Sequence, residues 1–518
     1  MPADFPYLPV LTLAPVLGAL IVGFLPRSRG NLAKVIALGW SLGVLVLTVL
    51  MWLAFQIGSR DRLQFRESYE WIPQWGVRFT FAADGIALVM LMLVAILVPL
   101  VILASWHDAE QSRRSVPVYF ALLLVLESTM LGVFAAADVF LFYVFFEIML
   151  VPMYFLIGSY GGARRQYAAV KFFLYSLVGG LFMLAAVVGL WVVAGRSGAD
   201  PALRFDWQTL TQLDLATNTE RWLFLGFFIA FAIKAPFFPF HTWLPDAGGA
   251  APAGAAALLV GVLDKVGTFG ILRYCLPLFP EASRWFAPWA LGLAVIGIIY
   301  AALLAVGQND LKRLVAYTSI AHFGFIGVGI FAFTTQAGTG AVLYMVNHGL
   351  ATGMLFLVVG MFVARRGSAL VSDFGGAGKL VPVLAGMLFF AGMASLALPG
   401  TAPFVSEFLV LLGTFTVNKP VAVIATVGII LAAAYVLWMV QRTTQGTLNP
   451  ALSSVEGMSR DISLREKFVV APLIVLLLVL GFYPKPVTDV ISPAVQATMQ
   501  EVGSKDPAPT VGTAEAAR

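Results

Sequence analysis

The sequence is poor in charge and nearly free of cysteine. Asp, Glu, Lys and Arg make up 11% of its 518 residues, whereas an ordinary soluble domain contains about 25%. A single cysteine, Cys275, excludes a disulfide within the chain and an iron–sulfur cluster held by the chain's own thiolates. The shortage of charge extends along most of the chain, so we expect little of it to contact water.

Apolar residues make up most of the sequence. They account for 60% of the chain, and the mean hydropathy is +0.90. A bilayer core of about 30 Å requires apolar runs of about 20 residues, and such runs follow one another almost end to end. Hydropathy predicts an all-α polytopic membrane protein with about fourteen transmembrane helices. The predicted spans are 7–25, 32–56, 83–105, 116–135, 139–159, 168–194, 222–240, 253–277, 285–306, 311–333, 339–364, 381–412, 420–440 and 467–484.

The distribution of basic residues predicts the orientation. The net charge of +5 lies largely in short loops, which is typical of membrane topology and excludes a nucleic-acid partner as its explanation. One set of loops carries most of it: Arg27, Arg29, Lys34, Arg113, Arg114, Arg164, Arg165, Lys171, Lys312, Arg313, Arg365, Arg366, Lys379, Arg442, Arg460, Arg465 and Lys467. The opposite short loops carry Arg273, Arg284 and Lys419. With an even number of spans, both termini are predicted on the non-cytoplasmic side.

The spans group into five predicted regions. Helices 1–3 occupy residues 1–115, a first five-helix repeat 116–280, an inverted second repeat 281–440, and the last helix 441–485. The remainder, 486–518, is rich in Ala, Pro, Thr and Glu and is predicted to be disordered. No strand is evident.

Several titratable residues fall inside apolar spans. A charge at bilayer depth costs about 2.5–3.5 kcal/mol or more, so each one needs a partner or a purpose. These residues are Glu127, Glu147, Lys234, Asp264, Lys265, His322, His348 and Glu407, with His241 at the end of a span. One such residue could simply join two helices. Two lysines with several carboxylates and histidines favour a proton relay, because burial and neighbouring charges shift their protonation.

Some of these residues carry less information. Glu127 fits a plain interhelical contact as well as a relay. Asp264 and Lys265 are adjacent, so their side chains point about 100° apart and need not pair. His107 and Asp138 are expected at the surface and in a solvated loop, respectively.

Prolines predict breaks in the seventh and twelfth spans. The seventh contains Pro236 and Pro239, and the twelfth contains Pro399 and Pro403. Each proline removes a backbone donor, and freed backbone groups at membrane depth require protein or a cavity around them. Both breaks contain Ala-Pro-Phe, and they lie five spans apart. An odd number of spans inverts the second copy, so the pattern indicates inverted repeats with paired discontinuous helices.

Four segments carry a family resemblance: FYVFFEIMLVPMYFLIG at 142–158, AIKAPFFPFHTWLPDA at 232–247, NDLKRLVAYTSIAHFGFIGVG at 309–329 and LPGTAPFVSEF at 398–408. The chain resembles the antiporter-like membrane subunits of respiratory complex I over about residues 80–485. It is most similar to the M type, which has glutamate at the position of Glu407 where L and N types have lysine. The chain also stops soon after its last predicted span, whereas an L type continues into a long lateral helix.

The resemblance implies roles for the buried residues. Glu147 would pair with Lys234 and tune it, and Lys265 would be the central lysine of the eighth span. Glu407 would be the terminal proton carrier in the broken twelfth span. The polar links between them would be His241, His322 and His348.

The resemblance also implies a setting. The chain would be a proton-translocating subunit of NADH:quinone oxidoreductase in a bacterial plasma membrane, beside homologous L- and N-type subunits. It would hold no cofactor itself, and NADH, FMN, iron–sulfur clusters and quinone would bind partner subunits. Alternatives are a subunit of a multisubunit sodium/proton antiporter or membrane-bound hydrogenase, a self-contained transporter or channel, and a purely structural assembly subunit.

Overall fold

A computed structural model describes residues 5–111 and 114–507 as a helical bundle. The first part contains α1 (Tyr7–Gly23), α2 (Gly30–Ala54), β1 (Gln64–Ile72), β2 (Val77–Ala83), α3 (Gly85–Ala104), α4 (Asp108–Gln111), α5 (Val116–Ala135), α6 (Val139–Ile148), α7 (Leu150–Tyr160) and α8 (Arg165–Arg196). The middle part contains α9 (Trp207–Leu210), α10 (Thr217–Lys234), α11 (Leu244–Ala250), α12 (Ala253–Leu258), α13 (Lys265–Gly270), α14 (Leu276–Leu278), α15 (Pro280–Val306), α16 (Leu311–Phe331) and α17 (Thr335–Arg366). The last part contains α18 (Pro382–Ser395), α19 (Ala402–Val417), α20 (Lys419–Thr444), α21 (Pro450–Ser453), α22 (Leu464–Phe482) and α23 (Lys485–Glu501).

The helices have the lengths that a bilayer requires. Among the described residues, 10 helical stretches are long and apolar enough to cross a membrane, or 11 if the bent pair α22 and α23 is one span. α1, α18 and α19 are apolar but shorter. The chain is therefore a multi-pass membrane protein, and the total of fourteen crossings stays a prediction.

Burial separates an inner set of helices from an outer set. α16, α17 and the stretch Ala253–Leu278 are almost wholly buried, whereas α2, α8 and α20 expose much of their apolar surface. α16 packs between α15 and α17, and α17 packs against α19. Exposed apolar faces on long helices are what contact with lipid or neighbouring subunits requires.

Contrary to the prediction, the chain is not purely α-helical, because the loop after α2 forms a β-hairpin. β1 and β2 pair antiparallel, with Ser68 opposite Thr80 and Tyr69 opposite Phe79. The Trp71 and Phe79 rings stack at 4.6 Å. β1 is largely exposed and its aromatic residues are separated by charged and polar ones, so hydropathy gave no strand signal.

Both ends of the described chain lie on the side of this hairpin. The Tyr7 ring packs against Phe65 at 5.4 Å, and Glu501 accepts a hydrogen bond of 2.9 Å from Arg62. We name this the hairpin side. The opposite, basic side carries Arg313, which pairs with Asp246 at 2.5 Å. The arrangement agrees with an even number of crossings.

The prediction of a disordered tail is wrong for residues 486–501, which belong to α23. This helix turns by 68° from α22 and packs one face onto α3 and α17. Its buried residues follow helical spacing: Val490, Ile491, Ala494, Val495, Thr498 and Met499. Beyond it, Asp506 accepts hydrogen bonds from the backbone and hydroxyl of Thr335 at 2.7 and 2.6 Å. Residues 508–518 of the predicted tail lie outside the described residues.

The two predicted breaks are confirmed. α10 ends at Lys234 and the helix resumes at Leu244, while α18 ends at Ser395 and α19 begins at Ala402. Trp243 closes the first break by donating its indole N–H to the Ile233 carbonyl at 2.9 Å.

The predicted eighth span has an interruption of another kind. Two π-helical segments, Leu259–Leu263 and Ile271–Cys275, flank α13. Lys265 therefore begins a single α-helical stretch between two wider turns. π segments are rare and are enriched at functional sites.

Four residues assigned to loops are buried instead, namely Lys34, Asp138, Arg273 and Lys312. Asp138 is 1% exposed and caps α6 by accepting a 2.8 Å hydrogen bond from the Leu141 backbone. Burial raises the pKa of Asp138 to about 7. Arg273 is 5% exposed within a π segment. His107 is at the surface as predicted, and its ring pairs with Glu110 at 2.8 Å.

Candidate functional site

The first two predicted site residues lie where α6 and α8 meet the end of α10. Lys234 is the last residue of α10 and is 1% exposed. Its ammonium sits over the rings of Phe146 and Phe172, at 4.9 and 5.8 Å from their centroids. Its Nζ has no hydrogen-bond partner among the described residues. Cation–π contacts stabilise a charge only partly, so Lys234 is held with an incomplete set of partners.

Glu147 interacts electrostatically with Lys234 but does not hydrogen-bond to it. The Glu147 carboxylate packs onto Gly180 of α8, where a Cβ atom would overlap Oε1. Oε1 is buried and has no hydrogen-bond partner in the described part of the chain. The pairing expected from the resemblance is therefore a through-space interaction in this structure, and a small movement of either side chain would change its strength.

Asp264 interacts electrostatically with both lysines, Lys234 and its neighbour Lys265. Its carboxylate is fully buried, and neither oxygen has a hydrogen-bond partner among the described residues. Gly267 allows α13 to pack closely against α10, because a Cβ there would lie 2.5 Å from the Phe231 carbonyl of α10. The sequence left the role of Asp264 open, and the structure places it beside both lysines.

Lys265 occupies the centre of the bundle. Its ammonium donates to the Val260 carbonyl in the first π segment and lies 2.7 Å from Nδ1 of His348. The π turn matters here, because its wider hydrogen-bond pattern redirects backbone carbonyls. The ring of Phe323 lies beneath the ammonium at 5.1 Å. Lys265 and His348 thus form a direct polar link between α13 and α17.

The link continues from His348 towards α19. The rings of His348 and His322 meet edge to face with centroids 5.3 Å apart. His322 lies 5.8 Å from the Tyr344 ring, and the Tyr344 hydroxyl donates a 2.9 Å hydrogen bond to Glu407. All five side chains from Lys265 to Glu407 are at most 5% exposed. We name this set the central row: Lys265, His348, His322, Tyr344 and Glu407.

His241 does not join the central row. It lies in the break after α10, with its ring against Phe238 at 5.8 Å and Tyr300 at 5.2 Å. Its Nδ1 is buried without a hydrogen-bond partner among the described residues. Glu127 is also fully buried, and neither of its carboxylate oxygens has a hydrogen-bond partner among the described residues. Its helix, α5, packs against α1, α2 and α3.

Sequence reasoning missed Tyr344, which joins His322 to Glu407. A tyrosine within an apolar helix looks like core packing, and its hydroxyl becomes informative only when its partner is known. It also missed Asn347, which donates to the Ala402 carbonyl at 2.8 Å and to Ser406 at 3.3 Å. Asn347 therefore fixes the start of α19, which carries Glu407.

The arrangement brings together side chains that can carry protons. Amines, imidazoles, a phenol and carboxyls all exchange protons, and direct polar contacts join Lys265 to His348 and Tyr344 to Glu407. Several of the polar atoms of this site have no hydrogen-bond partner among the described residues, and buried polar atoms of this kind commonly bind ordered water. The fold and this site define a multi-pass membrane protein with interrupted helices and a row of buried titratable side chains.

The chain is similar to known membrane proteins in sequence and in structure. A family model described as NADH:quinone oxidoreductase/Mrp antiporter, TM matches residues 136–432. NADH-quinone oxidoreductase subunit M of Mycobacterium tuberculosis (strain CDC 1551 / Oshkosh) is 47% identical, over 98% of this chain and 96% of that protein. The same-named subunit of Rhodobacter capsulatus is 39% identical over 95% and 96%.

Solved structures agree with these relatives. A chain of respiratory complex I from Thermus thermophilus with bound NADH superposes with a TM-score of 0.85 at 30% identity, over 96% of this chain and 100% of that one. A chain of the Mrp complex from Dietzia sp. DQ12-45-1b matches at 0.77 and 23% identity, over 96% of this chain and 52% of that one, which shows a shared fold. The chain belongs to the family of NADH:quinone oxidoreductase and Mrp antiporter membrane subunits, and the resemblance noted in the sequence is confirmed.

Proposed function

We propose that this chain is the M-type proton-translocating membrane subunit of an NADH:quinone oxidoreductase. The observation that carries the proposal is the central row, in which five buried side chains link Lys265 to Glu407. The similarity to subunit M proteins along nearly the full chain supports the assignment to that complex. NADH, FMN, iron–sulfur clusters and quinone bind to partner subunits in this proposal, and L- and N-type subunits flank the chain.

The proposed cycle begins at Glu147 and Lys234. A movement transmitted from a neighbouring subunit changes their separation, and Lys234 gains or loses its proton as the field of Glu147 strengthens or weakens. The Gly180 contact makes Glu147 sensitive to small shifts of α8. Asp264 carries the change to Lys265, since it interacts with both lysines.

The proton then follows the central row. Lys265 passes it to His348, and it continues by His322 and Tyr344 to Glu407. Nε2 of His348 and Nδ1 of His322 are buried and have no hydrogen-bond partner among the described residues, so water bound to them would complete the path. His241 remains in the proposal on the family resemblance alone, since its described ring contacts are with Phe238 and Tyr300 in the break after α10.

The same proposal includes the architecture. Fourteen crossings form two inverted five-helix units, 116–280 and 281–440, each with one interrupted helix. Both termini face outward from a bacterial plasma membrane. The location of both described ends on the hairpin side supports the even number of crossings, and the basic residues of the opposite loops support the orientation.

The test uses sealed membrane vesicles that contain the assembled complex. Lys234→Ala and Glu147→Ala should abolish acidification driven by NADH while leaving NADH oxidation by an artificial electron acceptor intact. The matched control is Lys419→Ala, because Lys419 begins α20 at the membrane edge and lies over Phe415 at 5.7 Å. Normal pumping in both test variants would remove the proposed roles.

A sodium measurement separates the main alternative. A sodium/proton antiporter subunit would move protons against a sodium gradient without NADH. Vesicles that acidify only with NADH, and equally with or without sodium, support the complex I assignment.

A further inference from the structure

An apolar groove of about 200 Å³ runs along α3 on the hairpin side of the bundle. Its described lining consists of aliphatic residues with one methionine and one tryptophan. α3 contributes four of these residues, and the others come from α2, α17, α22 and α23. The four residues of α3 are Val89, Met92, Leu93 and Ile96. The groove thus lies where α3 separates α2 from α22, and the proposed relay does not use it.

The depth of the groove matches one leaflet of a bilayer. α3 begins at Gly85 on the hairpin side, and Ile96 at the inner end of the groove is eleven residues further on. Eleven residues span about 16 Å of helix axis, and half of a bilayer core of about 30 Å is about 15 Å. Trp52 lines the outer end, as expected of tryptophan near the membrane surface. Val49, also in the lining, is 40% exposed, so the groove is open to the bilayer.

A polar pocket of about 180 Å³ lies one helical turn beyond the outer end of the groove. Gly85 of α3 lines the pocket and precedes Val89 of the groove by four residues, and α23 passes from one space to the other with a similar step. Arg60 and Asp61, in the loop after α2, also line the pocket, and both are exposed. The same segments therefore form a polar space at the membrane surface and an apolar space directly beneath it.

The charges of the polar pocket are not all paired within the protein. Arg62 lines the pocket but is already bound to Glu501 at 2.9 Å and to Asp84 at 3.6 Å. Arg60 and Asp61 form no ion pair within residues 5–111 and 114–507. The pocket thus offers one positive and one negative side chain, which together complement a head group that carries a phosphate and an ammonium.

The groove fits a flexible apolar chain better than water or a neighbouring helix. Apolar cavities stay dry, and one of about 150 Å³ binds benzene in place of water. An α-helix about 10 Å across would occupy about 800 Å³ over the length of the groove, which has a volume of about 200 Å³. An acyl chain is both apolar and thin enough.

We propose that the groove and the polar pocket together bind one phospholipid of the hairpin-side leaflet, of the phosphatidylethanolamine type. An acyl chain lies in the groove, the phosphate pairs with Arg60, and the ammonium pairs with Asp61. The lipid fills the gap between α2 and α22 beside the point where the chain turns by 68° into α23. The inference goes beyond the proposed function, because the site does not depend on proton transfer.

The test uses photoactivatable phospholipids in membrane vesicles that contain the assembled complex. Two probes carry the same diazirine-bearing acyl chain and differ only in a phosphatidylethanolamine or phosphatidylglycerol head group. The first should label residues 89–96 about fivefold more than the second, which corresponds to about 1 kcal/mol, the upper range for an exposed ion pair. The two probes should label the exposed face of α8, around Leu181, equally.

One pair of variants tests the acyl chain. Val49→Trp places a large ring at the open edge of the groove and should reduce the labelling of residues 89–96 to that of the α8 face. Val46→Trp is the matched control, because it adds the same ring to α2 at a 60% exposed position outside the groove, and it should label as the parent does. Equal labelling of residues 89–96 in the two variants would overturn the site.

A second pair tests the head group. Arg60→Gln with Asp61→Asn should abolish the preference for phosphatidylethanolamine. Arg78→Gln with Glu70→Gln neutralises another exposed pair on the hairpin side, 3.5 Å apart, and should preserve the preference. Both pairs lie at the surface, so these variants leave the buried core intact.

Two further results would contradict the proposal. Equal labelling by the two probes in the parent complex would refute the head-group contacts. No labelling of residues 89–96 by either probe would mean that a neighbouring subunit covers the groove, and the lipid site would be refuted. All labelling is measured without NADH, so a failure of the proposed proton translocation would not change these results.

Discussion

Replacing Tyr344 by phenylalanine tests the step of the central row that depends on a single hydroxyl group. The change removes one hydroxyl and keeps the ring that packs against His322 and Phe325. That hydroxyl donates to Glu407 at 2.9 Å, and both residues are buried. A hydrogen bond to a charged group contributes about 1.5–3 kcal/mol. Each 1.36 kcal/mol is tenfold in rate, so proton transfer through Glu407 should slow by about ten- to a hundredfold.

The measurement compares proton pumping with electron flow in the same vesicles. Tyr344→Phe should lower the initial rate of NADH-driven acidification while the artificial-acceptor rate stays unchanged. Tyr160→Phe is the matched control, because Tyr160 is also buried and donates a 2.8 Å hydrogen bond to the Ser115 carbonyl, outside the central row. If Tyr344→Phe pumps as fast as Tyr160→Phe, the Tyr344 hydroxyl does not carry or stabilise the proton, and the last step of the relay is wrong.

Three further predictions concern positions outside the central row. Gly180→Ala should reduce NADH-driven acidification, because the new methyl group displaces the Glu147 carboxylate, whereas Gly292→Ala, with open space around its Cβ, should not. Gly267→Ala should lower the free energy of unfolding by about 1–3 kcal/mol, the usual cost of overpacking, since its Cβ would meet the backbone of Phe231 and Ala235 at 2.5 and 2.6 Å. Asp138 has a folded-state pKa raised to about 7, so the folded protein retains this proton and stability falls as pH rises from about 4 to about 7. Asp138→Asn should flatten that part of the pH profile of the unfolding temperature in detergent.

Each of these has a result that contradicts it. Normal acidification in Gly180→Ala would mean that Glu147 tolerates displacement. An unchanged unfolding temperature in Gly267→Ala would mean that α13 and α10 can move apart without loss of stability. A pH profile of Asp138→Asn that follows the parent protein would assign the dependence to other groups.

The lysines and carboxyls of the proposed relay could be found in the sequence because charge inside an apolar run is rare. Lys234, Lys265 and Glu407 stand out for that reason, and the prolines beside Lys234 and Glu407 mark the breaks. The π segments around Lys265 could not be found, since no residue type specifies them. Arg273 was misassigned because it lies near the end of its span, where burial depends on which distant segments cover it.

The hairpin and α23 were missed for different reasons. In the hairpin, exposed charged and polar residues separate the aromatic residues of β1, and hydropathy windows average such a pattern away. In α23 the signal was present, because Val490, Ile491, Ala494 and Val495 recur at helical spacing. The composition of the whole tail outweighed that periodicity.

The contact between Arg62 and Glu501 joins positions 439 residues apart. During synthesis, the earliest helices must therefore remain in the membrane with one end unfastened until nearly the whole polypeptide has left the ribosome. A premature stop codon just before Lys485 would yield a chain that contains every preceding helix. In that chain Gly85 would lack the Val490 backbone that packs on it. Such a product would expose the ends of α3 and α17 to membrane proteases, and loss of a short C-terminal segment would become loss of the entire subunit.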